Sequence, residues 1–316
     1  MKWKDVVWPV VGIAAVGLSV WFLYHELAGI SAADVYDGLA AIPLHRWLLA
    51  GLGAVVAYAA LAVYDHMALT HLGRRISWLF VTLCSFTTYA LSHNIGGSVL
   101  SGAVIRYRAY GSKGLSMQEV GILVAFCFVT FVLSAMLVTG LVFVLEPSVI
   151  DRFVDFKGMP VTLSATTGVL LLAVVAAYVF GSWLKLKAVH IGGFHLEYPR
   201  LPLVFKQLTI GPVEILGAAA IFYFALPEAG NPGYFVVLGV FVVAFSLATS
   251  THAPGGLGVF EVVAIAGLSD IDTASVVAAL VVFRLFYFIV PLLIAIAIVV
   301  VFERDQLRRL WPFGKR

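Results

Sequence analysis

Ser92-His93-Asn94-Ile95-Gly96-Gly97 lies between two apolar runs, Ile76–Leu91 before it and SVLSGAVIRYRAYGSKG after it. Arg74 and Arg75 precede this unit, and Arg106, Arg108 and Lys113 follow it. Lys and Arg near the ends of apolar segments collect on the cytoplasmic side of a membrane. A segment with both ends basic therefore enters the membrane and returns on the same side. The spacing predicts a re-entrant helical hairpin with its tip at Gly96-Gly97. Each arm would have about 15–20 residues, or roughly 22–30 Å of helix. The rival arrangement makes the segment a full span and puts an Arg-rich loop outside, against the same charge bias.

The pattern H-x-x-G-G occurs again as Thr251-His252-Ala253-Pro254-Gly255-Gly256. Here the flanks are acidic, with Glu228 before and Asp270 and Asp272 after, so this second hairpin is expected to enter from the outer face. A glycine-broken polar stretch at membrane depth is tolerated only where protein buries it or it lines a watery cavity.

The rest of the chain fits a membrane setting. Of its 316 residues, 62% are hydrophobic and 12% charged, and the mean hydropathy is +1.02. A soluble domain has roughly 45–50% apolar and about 25% charged residues. The chain is therefore a polytopic membrane protein. The two cysteines, Cys84 and Cys127, lie inside apolar runs and form neither a disulfide framework nor a C-x-x-C metal pattern.

Apolar runs long enough to span a bilayer need about 20 residues. Trp8–Leu27, behind the Lys2/Lys4 pair, reads as an uncleaved first span rather than a signal peptide. Ser31–Ile42 reads as an interfacial helix ended by Pro43, and Leu44–Tyr64 as the second span. Asp65, His66, His71, Arg74 and Arg75 read as a polar connection. After the first hairpin, Ser116-Met117-Gln118-Glu119 is a capping box opening a span that reaches Leu145. The Glu146–Pro160 loop suits the outer side, and Val161–Leu184 is the next span. GGFHLEYPRLP reads as a loop. Leu203–Leu226 is a span interrupted at Gly211-Pro212, and Thr273–Phe302 is the last span, with a kink expected at Pro291.

Each half thus reads span, span, re-entrant hairpin, span. The expected fold is an all-α polytopic membrane protein of six full spans and two hairpins. Residues 1–146 form one repeat and 161–303 the other, followed by a basic cytoplasmic tail over 304–316. Three spans per half is odd, so the second repeat is inverted, and both termini are cytoplasmic. Inverted repeats whose broken helices meet near the midplane are a common plan of secondary transporters.

Charged residues in the apolar runs are the candidates for chemistry, since each costs about 2.5–3.5 kcal/mol at mid-bilayer on insertion scales. They are Arg106, Glu214, Glu261 and Arg284. Two readings stand side by side. The charges pair as structural glue, with Glu214 and Arg284 as one such pair. Alternatively they line a groove in which Arg106 and Arg284 hold a phosphate, as guanidinium forks do, and Glu214 or Glu261 holds a cation. The breaks at His93, Asn94, Gly96 and Gly97, and at His252, Pro254, Gly255 and Gly256, expose amides at a helix start, which favours an anion; equally, the glycines serve close helix packing. His93 and His252 belong to no metal-ligating pattern, and no nucleophile triad, Walker motif or dinucleotide fingerprint appears. No cofactor, metal, catalytic residue or nucleic-acid partner is expected. The basic tail suits anionic lipid.

SHNIGGSVLSGAVIRYR with the following GLS and Glu119, then THAPGGLGVFE and Arg284, resemble the lysylphosphatidylglycerol synthase transmembrane-region family. Pro254 to Glu261 is the most specific part; His93–Gly97 with Arg106-Tyr107 is the second. That family includes the flippase domain of the multiple peptide resistance factor and stand-alone bacterial relatives. The resemblance implies a phospholipid flippase of the bacterial inner membrane, moving an amino-acylated anionic phospholipid such as lysyl-phosphatidylglycerol between leaflets. It also implies a role in resistance to cationic antimicrobial peptides. The aminoacyl-synthase domain of the full resistance factor is not in this chain, so such a synthase is an implied partner, and a homo-oligomer is open. Two other classes remain: an intramembrane enzyme acting on a lipid headgroup, with His252 and Glu261 as its pair, and a non-transporting membrane partner of a lipid synthase.

Overall fold

The computed structural model describes residues 31–95, 98–153, 162–186, 189–191, 194–196, 198–251 and 254–310. The expected first span Trp8–Leu27, the tip glycines Gly96 and Gly97, His252 and the end of the basic tail lie outside these residues.

Helix α1 (Ala32–Ala40) starts at Ser31, whose hydroxyl accepts from the Asp34 amide while the Asp34 carboxylate accepts from the Ser31 amide. Pro43 starts α2 (Leu44–His71). Helices α3 (Trp78–Ile95) and α4 (Ser98–Gly111) flank the first glycine pair and pack on each other. Helix α5 (Met117–Leu145) begins at the expected Ser116/Glu119 capping box, and a 3₁₀ turn (Pro147–Arg152) follows it. Helix α6 (Thr162–Trp183) leads to a short antiparallel hairpin, β1 (Val189–Ile191) and β2 (Phe194–Leu196), with Val189 opposite Leu196. Then come α7 (Leu201–Ala225), α8 (Tyr234–Ser250), a 3₁₀ turn at Pro254–Gly256, α9 (Val259–Gly267), α10 (Thr273–Arg284), a π-helical turn (Leu285–Ile289) and α11 (Val290–Leu310).

Five helical stretches among the described residues are long and apolar enough to cross a membrane: Leu44–His71, Met117–Leu145, Ser164–Trp183, Leu201–Ala225 and Thr273–Phe302. They coincide with the second to sixth expected spans. The four elements flanking the two breaks are shorter, at 18 and 14 residues for the first and 17 and 9 for the second. At about 1.5 Å per residue, α9 is roughly 14 Å long, shorter than the arms expected at the first break.

Three expectations need correction. Asp65, His66 and His71 are not in a connecting loop but on α2, which runs on to His71. No glycine or proline interrupts the chain between Pro43 and Gly73, apart from Gly51 and Gly53 early in the helix, so nothing stops it at Tyr64. The GGFHLEYPRLP stretch is not loop alone: it carries strand β2, which pairs with β1 just before it. The Leu201–Ala225 helix continues through Gly211-Pro212 instead of breaking there. Pro212 has no N–H for the Leu208 carbonyl four residues back, and beside it the Tyr64 hydroxyl donates to the Gly211 carbonyl at 2.9 Å.

The centre of the molecule is the antiparallel crossing of α2 and α7. A Cβ on Gly53 would lie 2.8 Å from the Gly217 carbonyl oxygen, and one on Gly217 would lie 2.9 Å from that of Gly53. Small residues let membrane helices approach this closely. At one end of the crossing, the Arg46 guanidinium donates to the Tyr223 and Phe224 carbonyls at 3.1 and 2.9 Å, the last carbonyls of α7. A cation suits a helix C-terminus. Around this pair sits one core in which Phe222, Phe241, Phe260, Phe283 and Tyr287 are almost fully buried.

Candidate functional site

The expected kink at Pro291 takes the form of the π-helical turn Leu285–Ile289. Pro291 has no N–H to give the carbonyl four residues back, that of Tyr287. That carbonyl instead accepts from the Tyr58 hydroxyl at 2.9 Å. The neighbouring Phe288 carbonyl accepts from the Asn94 side-chain amide at 3.3 Å, and the same amide donates to Ala90 at 2.8 Å. A residue of the first break thus holds the irregular backbone of the last span.

Both breaks converge on this turn. The His93 ring stacks on Tyr287, with centroids 5.3 Å apart and planes 15° apart, and packs beside Phe288. From the second break, Gly255 faces Phe288, and its carbonyl accepts from Arg284 Nη1 at 2.6 Å. The Arg284 guanidinium lies over the Phe288 ring, 4.8 Å from its centroid. Gly255 and Gly258 have φ of 59° and 86°, the left-handed region that side chains with a Cβ disfavour. That accounts for glycine at both positions.

The four sequence-nominated charges do not pair as expected. Glu214 does not meet Arg284. Instead, the Arg284 Nε donates to Glu261 Oε1 at 2.8 Å, while Glu261 Oε2 accepts the Gly258 amide at 2.7 Å. Glu261 therefore caps its own helix and anchors the last span at once. Arg106 finds a partner that the sequence reading had assigned to a loop. Its Nε and Nη2 donate to the two Asp65 oxygens at 3.1 and 2.7 Å, and Tyr110 donates to Asp65 Oδ2 at 2.9 Å. The Arg106 guanidinium also lies 4.7 Å from the Tyr89 ring centroid. Asp65 is the residue that was missed. The signal for it was the unpaired intramembrane Arg106, which demands a counter-charge at the same depth.

Glu214 has a different environment. It is 2% exposed, and its Oε1 accepts from the Tyr287 hydroxyl at 2.7 Å. Its Oε2 has no hydrogen-bond partner among the described residues, nor do Ser92 Oγ, His93 Nδ1, Thr87 Oγ1 and Thr88 Oγ1. Buried polar atoms are nearly always partnered, so this cluster is unusual. Glu214, Ser92, His93 and Arg106 line a cavity of about 120 Å³ together with Tyr64, Cys127 and Thr249. A second cavity of about 330 Å³ lies at the Arg46 end of the α2–α7 crossing, lined by His45, Arg46, Tyr223, Glu228 and Asn231. There, Arg46 is 3.4 Å from Glu228. Among the described residues, no group of His, Cys, Asp and Glu is placed to hold a metal ion.

The family model described as Lysylphosphatidylglycerol synthase TM region matches residues 10–295. The chain is 30% identical to an uncharacterised protein of Synechocystis sp. over 83% of its own length and 81% of that protein's. It is also 30% identical to the inner membrane protein YbhN of Escherichia coli, over 79% and 78% of the two chains. The similarity to a phosphatidylglycerol lysyltransferase of Staphylococcus haemolyticus is 24% over 87% of this chain, and covers 31% of that longer protein.

Proposed function

The chain belongs to the lysylphosphatidylglycerol synthase transmembrane-region family, and from that premise we propose that it moves an anionic phospholipid or its amino-acylated derivative between the leaflets of a bacterial inner membrane. An amino-acylated lipid such as lysyl-phosphatidylglycerol is the substrate class that fits. The convergence of the two glycine breaks on one irregular turn of the last span, beside buried polar groups, carries this reading. Broken helices meeting inside the membrane are where transporters bind their substrates.

In this reading, residues 1–146 and 161–303 are inverted repeats, the two breaks are tips of hairpins entering from opposite faces, and both termini with the 304–316 tail are cytoplasmic. The antiparallel α2–α7 crossing, each helix the second span of its half, supports such a pseudo-symmetric plan. The Arg46 cavity is the headgroup-sized opening, since its volume of about 330 Å³ falls within the roughly 300–1,000 Å³ of small-molecule sites. His93, Asn94, Gly96, Gly97, His252, Pro254, Gly255 and Gly256 form the path between the faces. Arg106, Glu214, Glu261 and Arg284 set the charge along it.

The test is reconstitution in liposomes carrying labelled lysyl-phosphatidylglycerol or phosphatidylglycerol, with outer-leaflet access as the readout. Translocation above that of protein-free liposomes, slowed by Arg284→Ala, is the expected result; equal rates in all three samples overturn the reading. Topology is tested separately. A cysteine at Ser112 should resist an impermeant thiol reagent added from outside, and labelling there removes the first hairpin.

The staphylococcal relative favours a second reading. This chain matches less than a third of a protein named as a lysyltransferase, so a membrane partner that docks a lipid-modifying enzyme without moving lipid is the alternative. Co-purification of such an enzyme together with a null result in liposomes would select it.

A further inference from the structure

The cavity under the first break does not suit a lipid headgroup. At about 120 Å³ it is below the range of organic-ligand sites. Its two charged linings have opposite situations. Both Asp65 oxygens take up the Arg106 fork, and Tyr110 adds a third bond. That pair is internally neutral. Glu214 instead has one oxygen bonded to Tyr287 and one with no partner among the described residues. A buried carboxylate without a counter-charge is costly, and the group commonly neutralises itself. The space is enough for several waters, each of which needs on the order of 10–15 Å³ and two to four polar partners. Ser92 Oγ, His93 Nδ1 and Glu214 Oε2 provide unoccupied partners of that kind.

We propose that this cavity is a proton-binding site, in which Glu214 Oε2 takes a proton from cavity water beside His93. The step is a simple transfer. A hydronium, or the His93 imidazolium through water, gives its proton to Oε2 and leaves water or neutral imidazole; release reverses it, and no electrons move. Chains of carboxylate and histidine in the membrane interior are recurrent proton carriers.

The groups facing Glu214 support this assignment. Helix α2 presents Tyr64, with Tyr58 in electrostatic reach of Glu214; α3 presents Tyr89 and His93; and α4 presents Arg106, neutralised by Asp65 behind it. Helix α5 presents Cys127, and α8 presents the uncharged Thr249. Arg284 on α10 is tied to Glu261. Among the described residues, no cation pairs with Glu214.

Tyr287 connects this site to both breaks. Its hydroxyl reads the Glu214 carboxyl, its ring carries His93, and the adjacent Phe288 lies against Gly255 and Arg284. The state of Glu214 is thereby felt on the turn where the two breaks meet.

Proton binding is tested on the purified full-length protein by infrared difference spectroscopy between about pH 5 and 8, a readout independent of lipid transport. A titrating carbonyl stretch of a protonated carboxyl is expected, lost in Glu214→Gln, kept in Glu261→Gln and shifted in its midpoint by His93→Ala and by Tyr287→Phe. No difference between wild type and Glu214→Gln overturns the proposal. Gel filtration of each variant guards against misfolding, and Tyr287→Phe keeps the ring while removing only the hydroxyl. The use of the site rests on the transport reading and is assayed in liposomes, where the pH profile of translocation should flatten in Glu214→Gln. An infrared titration without any translocation keeps the proton site and removes the transport reading. Translocation with no Glu214 band does the reverse.

Discussion

The two glycine breaks share a sequence pattern but hold their charges differently. At the first, Arg106 pairs with Asp65, whose side chains are 4% and 0% exposed. At the second, Arg284 pairs with Glu261, each 16% exposed. The first pair joins α4 to a full span, with every strong acceptor of Asp65 used inside the protein. The second pair joins a capped short helix and a left-handed turn to the last span, and it holds a backbone carbonyl as well. One is a sealed brace and the other an anchor at the edge of open space. The difference teaches that the same motif can fix one side of a site while leaving the other reachable.

The largest effect should come from breaking the brace. Asp65→Ala leaves Arg106 buried without a counter-charge, which costs about 3–5 kcal/mol. Thermal unfolding in detergent should show it, and the double variant Asp65→Leu/Arg106→Met should recover much of the loss. If the single variant unfolds as the wild type does, the brace is not sealed. Glu261→Ala should cost less, about 1.5–3 kcal/mol for lost charged hydrogen bonds, because the Arg284 left behind reaches water more easily. An equal loss in the two variants would erase the contrast between the breaks.

Gly255→Ala forces a Cβ into the left-handed region at about 1–2 kcal/mol, and it crowds Arg284 Nη1 at 3.0 Å. Translocation should fall more than stability does. Gly111→Ala, at the end of α4 where a Cβ meets nothing within 4 Å, is the control and should leave both unchanged. The smallest effects belong to the caps of the helices that follow each break. Ser116 caps α5, and Asp272 caps α10 by accepting from the Ser275 amide. Alanine at either position should cost about 1 kcal/mol, seen as equal small shifts in melting temperature.

Spans and caps were legible because they depend on local pattern. Leu44 onward, Met117–Leu145 and Thr273–Phe302 are continuous apolar runs, and Ser116 with Glu119 is a spacing rule. Asp65 was not legible, because a charge after a long apolar run reads as the end of a span. Only its long-range partner reveals that the helix continues. The pairing of Glu261 with Arg284 rather than Glu214 with Arg284 was equally hidden. Depth along a span places a residue on an axis but not on a face. The role of Tyr287 escaped for another reason: a tyrosine in an aromatic stretch carries no sequence mark, and only the π-helical turn aims its hydroxyl at Glu214.

The α2–α7 crossing has a consequence for how the chain comes into being. As the polypeptide emerges, Asp65 meets Arg106 after 41 further residues, so the first brace closes early within its own half. The Gly53 face of α2 has no such local partner. It stays unmatched until Gly217 has been synthesised, and the Arg46 fork waits 178 residues for Phe224. Glu214 waits 73 residues from its own synthesis for the hydroxyl of Tyr287. Assembly therefore runs from a self-contained first brace to a central seam that only the second half can close, and the proton site forms last. A chain stalled after α6 would sit in the membrane with its Asp65–Arg106 brace closed but its Arg46 fork empty and its glycine face bare, in want of the very helix still to be made.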